Sequence, residues 1–405
     1  MPVTWVLSGN RHDFLKQFMR KLLLLVFLSI FAGTALYAVD PADGYYRVHN
    51  LKTDRYVYVT DNTGKINYQA ADAEMGAIQL WKNHDKTISD PASIIYLQKK
   101  GENSGGIYYD LKSQGTGVYS IIKYYVYLYE SRGSYQLYAE GKYLCDNETT
   151  EREQGYMGID RSGDYRRWVS TYLDVTGDEY FGITPSVKSG SRYYHPFYAD
   201  FGFTLYSEGM KVWYISKTDP ECVVIRELKS KVIPARTPVI IECSSKYPTN
   251  NRLDLKYSYA SGPADNVLKG VYFNNPDRPK SRDSRTEFDP ATMRVLGITA
   301  DGKLGYILST VKPDSKNGKQ YLEANQSYLV VDGNVAEELP IVTEEEYELI
   351  LQERVMASVR NAEGDRKYPV YMLSGRKVGD LDEKQLNSLP DGIYIVNNRK
   401  YVVGR

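Results

Sequence analysis

From Asp40 to Asp174 the chain sets down one short alternating apolar run after another, with no helical period longer than two turns. A chain patterned this way buries its apolar side chains as strands that present every second residue to a core. Gly44-Tyr45-Tyr46-Arg47-Val48 and Tyr56-Val57-Tyr58-Val59 open the series. The turn Asp61-Asn62-Thr63-Gly64 and the run Lys65-Ile66-Asn67-Tyr68 follow, and Ala77-Ile78-Gln79-Leu80-Trp81 closes a first unit. A related order returns as Ile94-Ile95-Tyr96-Leu97, Ile107-Tyr108-Tyr109-Asp110-Leu111, Val118-Tyr119-Ser120-Ile121 and Tyr125-Val126-Tyr127-Leu128. It returns once more as Tyr135-Gln136-Leu137-Tyr138, Lys142-Tyr143-Leu144-Cys145-Asp146, Tyr156-Met157-Gly158-Ile159 and Arg166-Arg167-Trp168-Val169.

Trp81 and Trp168 stand two periods of roughly 43 residues apart, and three units of four short strands make a compact β-trefoil. At repeat-equivalent places the two indoles are expected in the core. Tyr is the unusual residue: 38 against 10 Phe and 4 His. A Tyr-rich β scaffold accounts for most of them, since the ring suits half-buried strands, and a minority can line a surface that stacks on sugars. Asp110 beside Tyr108 and Tyr109 is the candidate for such a surface: a carboxylate accepts hydroxyl hydrogen bonds and an aromatic face lies next to it. A solvated turn residue is the competing account of Asp110.

Residues 181–340 carry seven or more further short apolar runs, among them Phe201–Leu205, Val212–Ile215, Val239–Ile241, Leu268–Tyr272 and Ser327–Val331. Turn-rich segments such as Pro248–Asn251 and Asn274–Pro279 separate them, which predicts a β-sandwich. Asp277–Asp289 reads as a polar loop. Cys222 opens Cys222-Val223-Val224-Ile225 and Cys243 closes Val239-Ile240-Ile241-Glu242-Cys243. If these runs pair antiparallel around 229–237, both sulfurs lie at one open end, so a disulfide and a pair of free thiols are both compatible. Cys145, between apolar neighbours, is read as a buried structural thiol.

Thr343 to Val359 is the convincing helix, with Thr343 and Glu346 at capping-box spacing and Tyr347, Ile350, Leu351 and Val355 on one stripe. Glu344, Glu345 and Glu346 complement the helix dipole, which accounts for the acidic run without a metal. Residues 360–367 read as a linker. Beyond it, short β runs flank Ser374-Gly375 and Asn397-Asn398, the latter pair tolerating the positive φ of a tight hairpin.

At the other end, Met19-Arg20-Lys21, the apolar run Leu22–Ala32 and Ala35-Leu36-Tyr37-Ala38 form the three parts of a secretory signal too short for a membrane span. Residues 1–18 are then an upstream extension with Met19 as the start, 19–38 the signal, and no later segment is apolar for long enough to cross a bilayer. The charges balance at 51 Lys+Arg and 51 Asp+Glu, so no basic field draws nucleic acid. No His-x-x-x-His or Cys-x-x-Cys for zinc, no Gly-x-Ser-x-Gly elbow and no phosphate-cradling loop occurs. Ser120-Ile121-Ile122-Lys123 has Ser-x-x-Lys spacing but sits in a strand-like run with no partner motif. The reading is therefore of no catalytic residues, no metal and no cofactor. A carboxylate pair for glycoside hydrolysis would be made in space and leaves no sequence spacing.

Three resemblances add to this reading. The repeats resemble those of ricin-type β-trefoil lectins, which end in Gln-x-Trp: Gln79-Leu80-Trp81 matches, the second repeat lacks both residues, and the third has Arg166 before Trp168. The resemblance implies an Asp on the second strand of each sugar-binding repeat, a place held by Tyr58 in the first repeat and by Asp110 and Asp146 in the others. Val232–Ile241 with Ala324–Leu329 resembles a module common in secreted Bacteroidetes proteins and implies no activity. Val370–Val378 followed by Leu389-Pro390-Asp391-Gly392-Ile393-Tyr394-Ile395-Val396 resembles the C-terminal sorting domains of type IX secretion, implying export machinery as a partner.

The expectation is an all-β chain: a trefoil over 39–180, a sandwich over 181–340, helix and linker over 341–366, and a small β module over 367–405. Its expected function is that of a non-enzymatic exported protein at the cell surface or outside the cell, binding glycan through the trefoil. The periplasm is the destination if the tail is no sorting signal. A protein-binding or structural surface protein is the alternative, and a hydrolase-associated factor the third. Nothing in the sequence sets the oligomeric state.

Overall fold

The computed structural model describes residues 41–59, 78–81, 87–114, 126–131, 134–139, 142–146, 154–159, 166–258, 260–272, 285–315, 317–332, 335–364 and 366–404. The leader, the runs Lys65–Tyr68 and Val118–Ile121, the Ser120–Lys123 spacing and most of the Asp277–Asp289 loop lie outside the described residues.

The N-terminal module contains β1 (Gly44–Asn50), β2 (Tyr56–Val59), β3 (Ile78–Trp81), β4 (Ile95–Asn103) and β5 (Gly106–Ser113). It continues with β6 (Val126–Ser131), β7 (Ser134–Ala139), β8 (Lys142–Asp146), β9 (Gln154–Ile159) and β10 (Arg167–Tyr172). Six of these close a ring: β1 pairs β4, then β5, β6, β7 and β10 follow, and β10 returns to β1. Every pairing in the ring is antiparallel. The β2–β3 and β8–β9 hairpins stand off the ring and join through β3 and β9. A six-stranded barrel built from three strand pairs, with hairpins inserted inside the pairs, is the trefoil the repeats predict.

The threefold repetition is written into the barrel core. Tyr46, Tyr109 and Tyr135 sit directly opposite Ile95, Val126 and Trp168 on the paired strands β1/β4, β5/β6 and β7/β10. Two residues further along, Val48, Leu111 and Leu137 form the next layer, and all nine side chains belong to one buried cluster. Alternation places them on a single face of each strand. Burying each such side chain contributes about 1.5–3 kcal/mol.

This register corrects the division of the repeats. Ile95–Asn103 pairs back onto β1 and closes the first unit; it does not open the second. Trp168 lies in the barrel, fully buried, its indole N–H donating to the Leu144 carbonyl at 3.1 Å. Trp81 lies on hairpin strand β3, opposite Tyr56 and Gln154, so the two tryptophans are not equivalent. Their spacing therefore does not measure the repeat, whose equivalent core tyrosines Tyr46, Tyr109 and Tyr135 are unevenly spaced.

The central module packs a three-stranded sheet (Phe181–Gly182, Arg252–Lys256, Gly202–Leu205) against a ten-stranded one. Phe181, Phe203 and Leu253 from the first sheet meet Phe197, Val212, Val239 and Ile241 from the second, the predicted sandwich of two sheets. Tyr45, Ile94 and Tyr96 of the N-terminal module enter the same cluster. Buried Arg47 of β1 adds polar ties across this junction, donating to the carbonyls of Thr87 and Tyr180 and to Glu179 Oε2.

The disulfide expectation is overturned. Strand Lys211–Thr218 pairs with Val223–Glu227 on one side and with Val239–Cys243 on the other, so it separates the two cysteine-bearing strands. Cys222 packs under Tyr347 and Cys243 sits in the phenylalanine-rich core, both reduced, as is the buried Cys145. Burial, and then the neighbouring Glu242, push the Cys243 thiol up to about 12.

Helix α1 (Glu344–Gly364) begins with the predicted capping box: Glu346 N–H donates to Thr343 Oγ1 at 3.2 Å and Thr343 N–H to Glu346 Oε2 at 2.7 Å. Tyr347, Ile350 and Leu351 pack on Cys222 and Val224, whereas Val355 is exposed. The helix continues into the segment read as a linker as far as Gly364, since no proline interrupts it. The tail forms a four-stranded sheet from Tyr368–Met372, Lys377–Leu381, Gly392–Val396 and Arg399–Val403. Asn397 and Asn398 take φ of 47° and 62°, as a two-residue hairpin turn requires. Helix α2 (Glu383–Asn387) was not foreseen, although Asp382 and Gln385 make a full capping box.

Candidate functional site

Strand alternation determines where each predicted site residue points. On β5, Tyr109 and Leu111 face the barrel core, and Tyr109 is fully buried. Tyr108 and Asp110 therefore share the outer face. Asp110 lies 3.9 Å from Lys112 Nζ, which donates to Gln98 Oε1 at 2.8 Å. Asp110 is on the first strand of its repeat and Asp146 on the second strand of another, so the lectin-type equivalence between them fails. Asp146 is fully buried and held by Arg55, whose Nε donates to Oδ2 at 2.8 Å while a terminal nitrogen binds Oδ1. Thr53 Oγ1 also donates to it. A carboxylate so enclosed is a structural clamp. Of the four sequence candidates, the structure brings Tyr108 and Asp110 together and assigns Tyr109 and Asp146 to the interior.

The outer face carries more than the sequence reading named. Tyr108 is the direct cross-strand partner of Tyr127, Tyr127 of Tyr138, and Tyr138 of Tyr143. Four half-buried tyrosines thus cross β5, β6, β7 and β8 in one unbroken row. Their ring centroids are 5.9, 6.5 and 4.9 Å apart in that order. Tyr129, two residues from Tyr127 on the same face, lies nearly parallel to it at 13° and 6.1 Å, and is 5.6 Å from Tyr138. The Arg166 guanidinium stands 4.8 Å above the Tyr143 ring at the far end of the row. Asn103 Nδ2 donates to the Tyr127 hydroxyl at 2.9 Å near the other end. That hydroxyl keeps its own proton to donate.

Local backbone makes room for the row. β4 bulges between Lys99 and Gly101 opposite β5, and a Cβ on Gly101 would sit 2.6 Å from the Tyr108 hydroxyl oxygen. Gly105, in the turn that follows, likewise leaves only 3.2 Å for a Cβ beside the Tyr127 ring. Loss of water contact, and then the adjacent Tyr138, raise the Tyr129 phenol above its ordinary value. Its proton therefore stays on at neutral pH, and its hydroxyl can donate. The signal for Tyr127 and Tyr129 was present in the alternation of Val126-Tyr127-Leu128-Tyr129; what it lacked was the register that aligns neighbouring strands.

A separate hollow of about 430 Å³ opens in the sandwich between Val187, Lys188, Leu296, Ile307, Glu323 and Tyr328. Among the described residues no group of three His, Cys, Asp or Glu side chains is gathered to hold a metal ion. No described helix is long and apolar enough to cross a membrane.

No protein family and no curated protein matches the chain. Among solved structures, the Rhizoctonia solani agglutinin aligns at 14% identity with a TM-score of 0.24, covering 33% of this chain and 98% of its own. Cry35Ab1 aligns at 13% identity and a TM-score of 0.24, over 44% of this chain and 49% of its own. A mosquitocidal holotoxin aligns at 11% identity and a TM-score of 0.24, over 73% and 42%. The chain spans about half the length or less of the last two. At these TM-scores the likenesses carry no weight, and the trefoil rests on the strand pairing of the barrel itself.

Proposed function

We propose that this is a non-enzymatic binding protein that holds carbohydrate on the outer tyrosine face of its trefoil. The observation that carries the reading is the unbroken cross-strand row Tyr108, Tyr127, Tyr138 and Tyr143. Aromatic rings offer flat apolar area for the C–H faces of sugars, and their hydroxyls supply donors and acceptors at the rim. Asp110, two positions from Tyr108, adds a carboxylate on the same face. The signal-like leader and the sorting-like tail support a place outside the cytoplasm, with the tail as the segment that export machinery would read. A glycan array probed with the full chain tests the binding. Retention of defined sugars by the native protein, lost in Tyr127→Ala/Tyr138→Ala, is the expected result; an empty array with the folded native protein would end the reading.

A second reading is favoured by the exposed Leu349, Val355 and Met356 on α1, which suit a protein-binding surface. Crosslinking on intact cells that captures a defined polypeptide through α1, while the array stays empty, would select it.

A further inference from the structure

We infer that the ligand of the tyrosine face is an extended, β-linked neutral oligosaccharide that runs across the strands and covers about four sugar units. This rests on the carbohydrate reading above and narrows it to a ligand class. The four tyrosines are successive cross-strand neighbours, so their line is perpendicular to the strands and advances one ring per strand. Neighbouring strands lie about 4.8 Å apart, roughly the advance of an extended glycan per sugar. The centroid spacings of 5.9, 6.5 and 4.9 Å keep that step through four rings. A single sugar touches one or two of them and leaves the rest of the row in water.

The geometry also sets the ligand's shape and charge. Three of the rings stand on the outer face of the barrel and the fourth on the adjoining β8, in a line that an extended chain can follow across the strands. Tyr129, parallel to Tyr127 along the strand, widens the platform at its middle, where the chain is most firmly held. Arg166 over Tyr143 bounds the apolar track at that end, and Asn103 adds a polar group beside the inner ring Tyr127. The rest of the face presents phenol hydroxyls and the Asp110 carboxylate, which accepts from sugar hydroxyls and disfavours an anionic chain, matching a neutral hydroxylated one.

Calorimetric titration of the full chain with β-1,4-linked glucose, mannose and N-acetylglucosamine oligomers of one to six units tests this. In the series that binds, affinity should rise at least about tenfold from disaccharide to tetrasaccharide and then level off. Tyr143→Ala should bring the tetrasaccharide down to the affinity of the trisaccharide and leave the disaccharide unchanged, and Tyr143→Phe, which keeps the ring, should preserve the length dependence. Equal affinity for disaccharide and tetrasaccharide would overturn the extended track while leaving the carbohydrate reading standing. No binding at any length by the folded native protein would overturn both.

Discussion

Arg55 and Asp146 form a buried ion pair that ties the β1–β2 turn of the first repeat to β8 of the third, with Nε to Oδ2 at 2.8 Å. Both side chains are almost wholly removed from water. Removing one partner strands the other charge in the interior, so Asp146→Ala should cost about 3–5 kcal/mol of stability. Denaturant titration of the full chain measures it. A loss below about 1 kcal/mol would show that the pair is solvated and that Asp146 is free for another role.

Asp219 performs a similar task for the helix. It accepts from Arg354 at 2.8 Å through each oxygen, and from the Tyr347 hydroxyl at 3.2 Å. The hydrogen bonds from Arg354 hold its carboxyl down at about 2. A lowered folded-state value stabilises above the unfolded value near 3.9 and is lost as the pH falls through about 2. Arg354→Ala should release α1 at a modest cost, since the guanidinium is partly exposed. Hydrogen exchange should quicken in 344–364 and stay unchanged in the barrel; unchanged exchange in α1 would refute the anchor.

His195 sets a pH dependence of the sandwich. It is half-buried, but its Nδ1 is sealed from water with no hydrogen-bond partner, and burial lowers the imidazole to about 4. Below the unfolded value near 6.5 the unfolded chain takes up the proton first, so stability falls as the pH drops from 6.5 towards 4. The loss should be about 1–3 kcal/mol, discounted for the exposed edge of the ring. Asp90, which burial raises to about 6, acts in the opposite direction, so the effect is read as the difference between native protein and His195→Phe. Parallel stability–pH curves for the two would contradict it.

The fold was legible where local chemistry decides it. Alternating runs gave the strands, Thr343 and Glu346 gave the start of α1, and Asn397-Asn398 gave the tail hairpin. Pairing was not legible, because it is a relation between distant segments. Lys211–Thr218 slips between the two cysteine strands, and Ile95–Asn103 returns to the strand that begins the module. The site followed the same division. Tyr108 and Asp110 were visible as neighbours on one strand face, whereas Tyr127, Tyr138 and Tyr143 join them only through register. Asp146 was misplaced because nothing local tells a carboxylate that its counter-ion stands on a turn 91 residues earlier.

The most direct measurement is a crystal structure of the full chain grown with a saturating β-linked tetrasaccharide from the series that titrates. The account predicts sugar density lying across Tyr108, Tyr127, Tyr138 and Tyr143, one unit per ring, with Asp146 still clasped by Arg55. Sugar seated in the sandwich hollow or against the β2–β3 hairpin, with the tyrosine row bare, would contradict it.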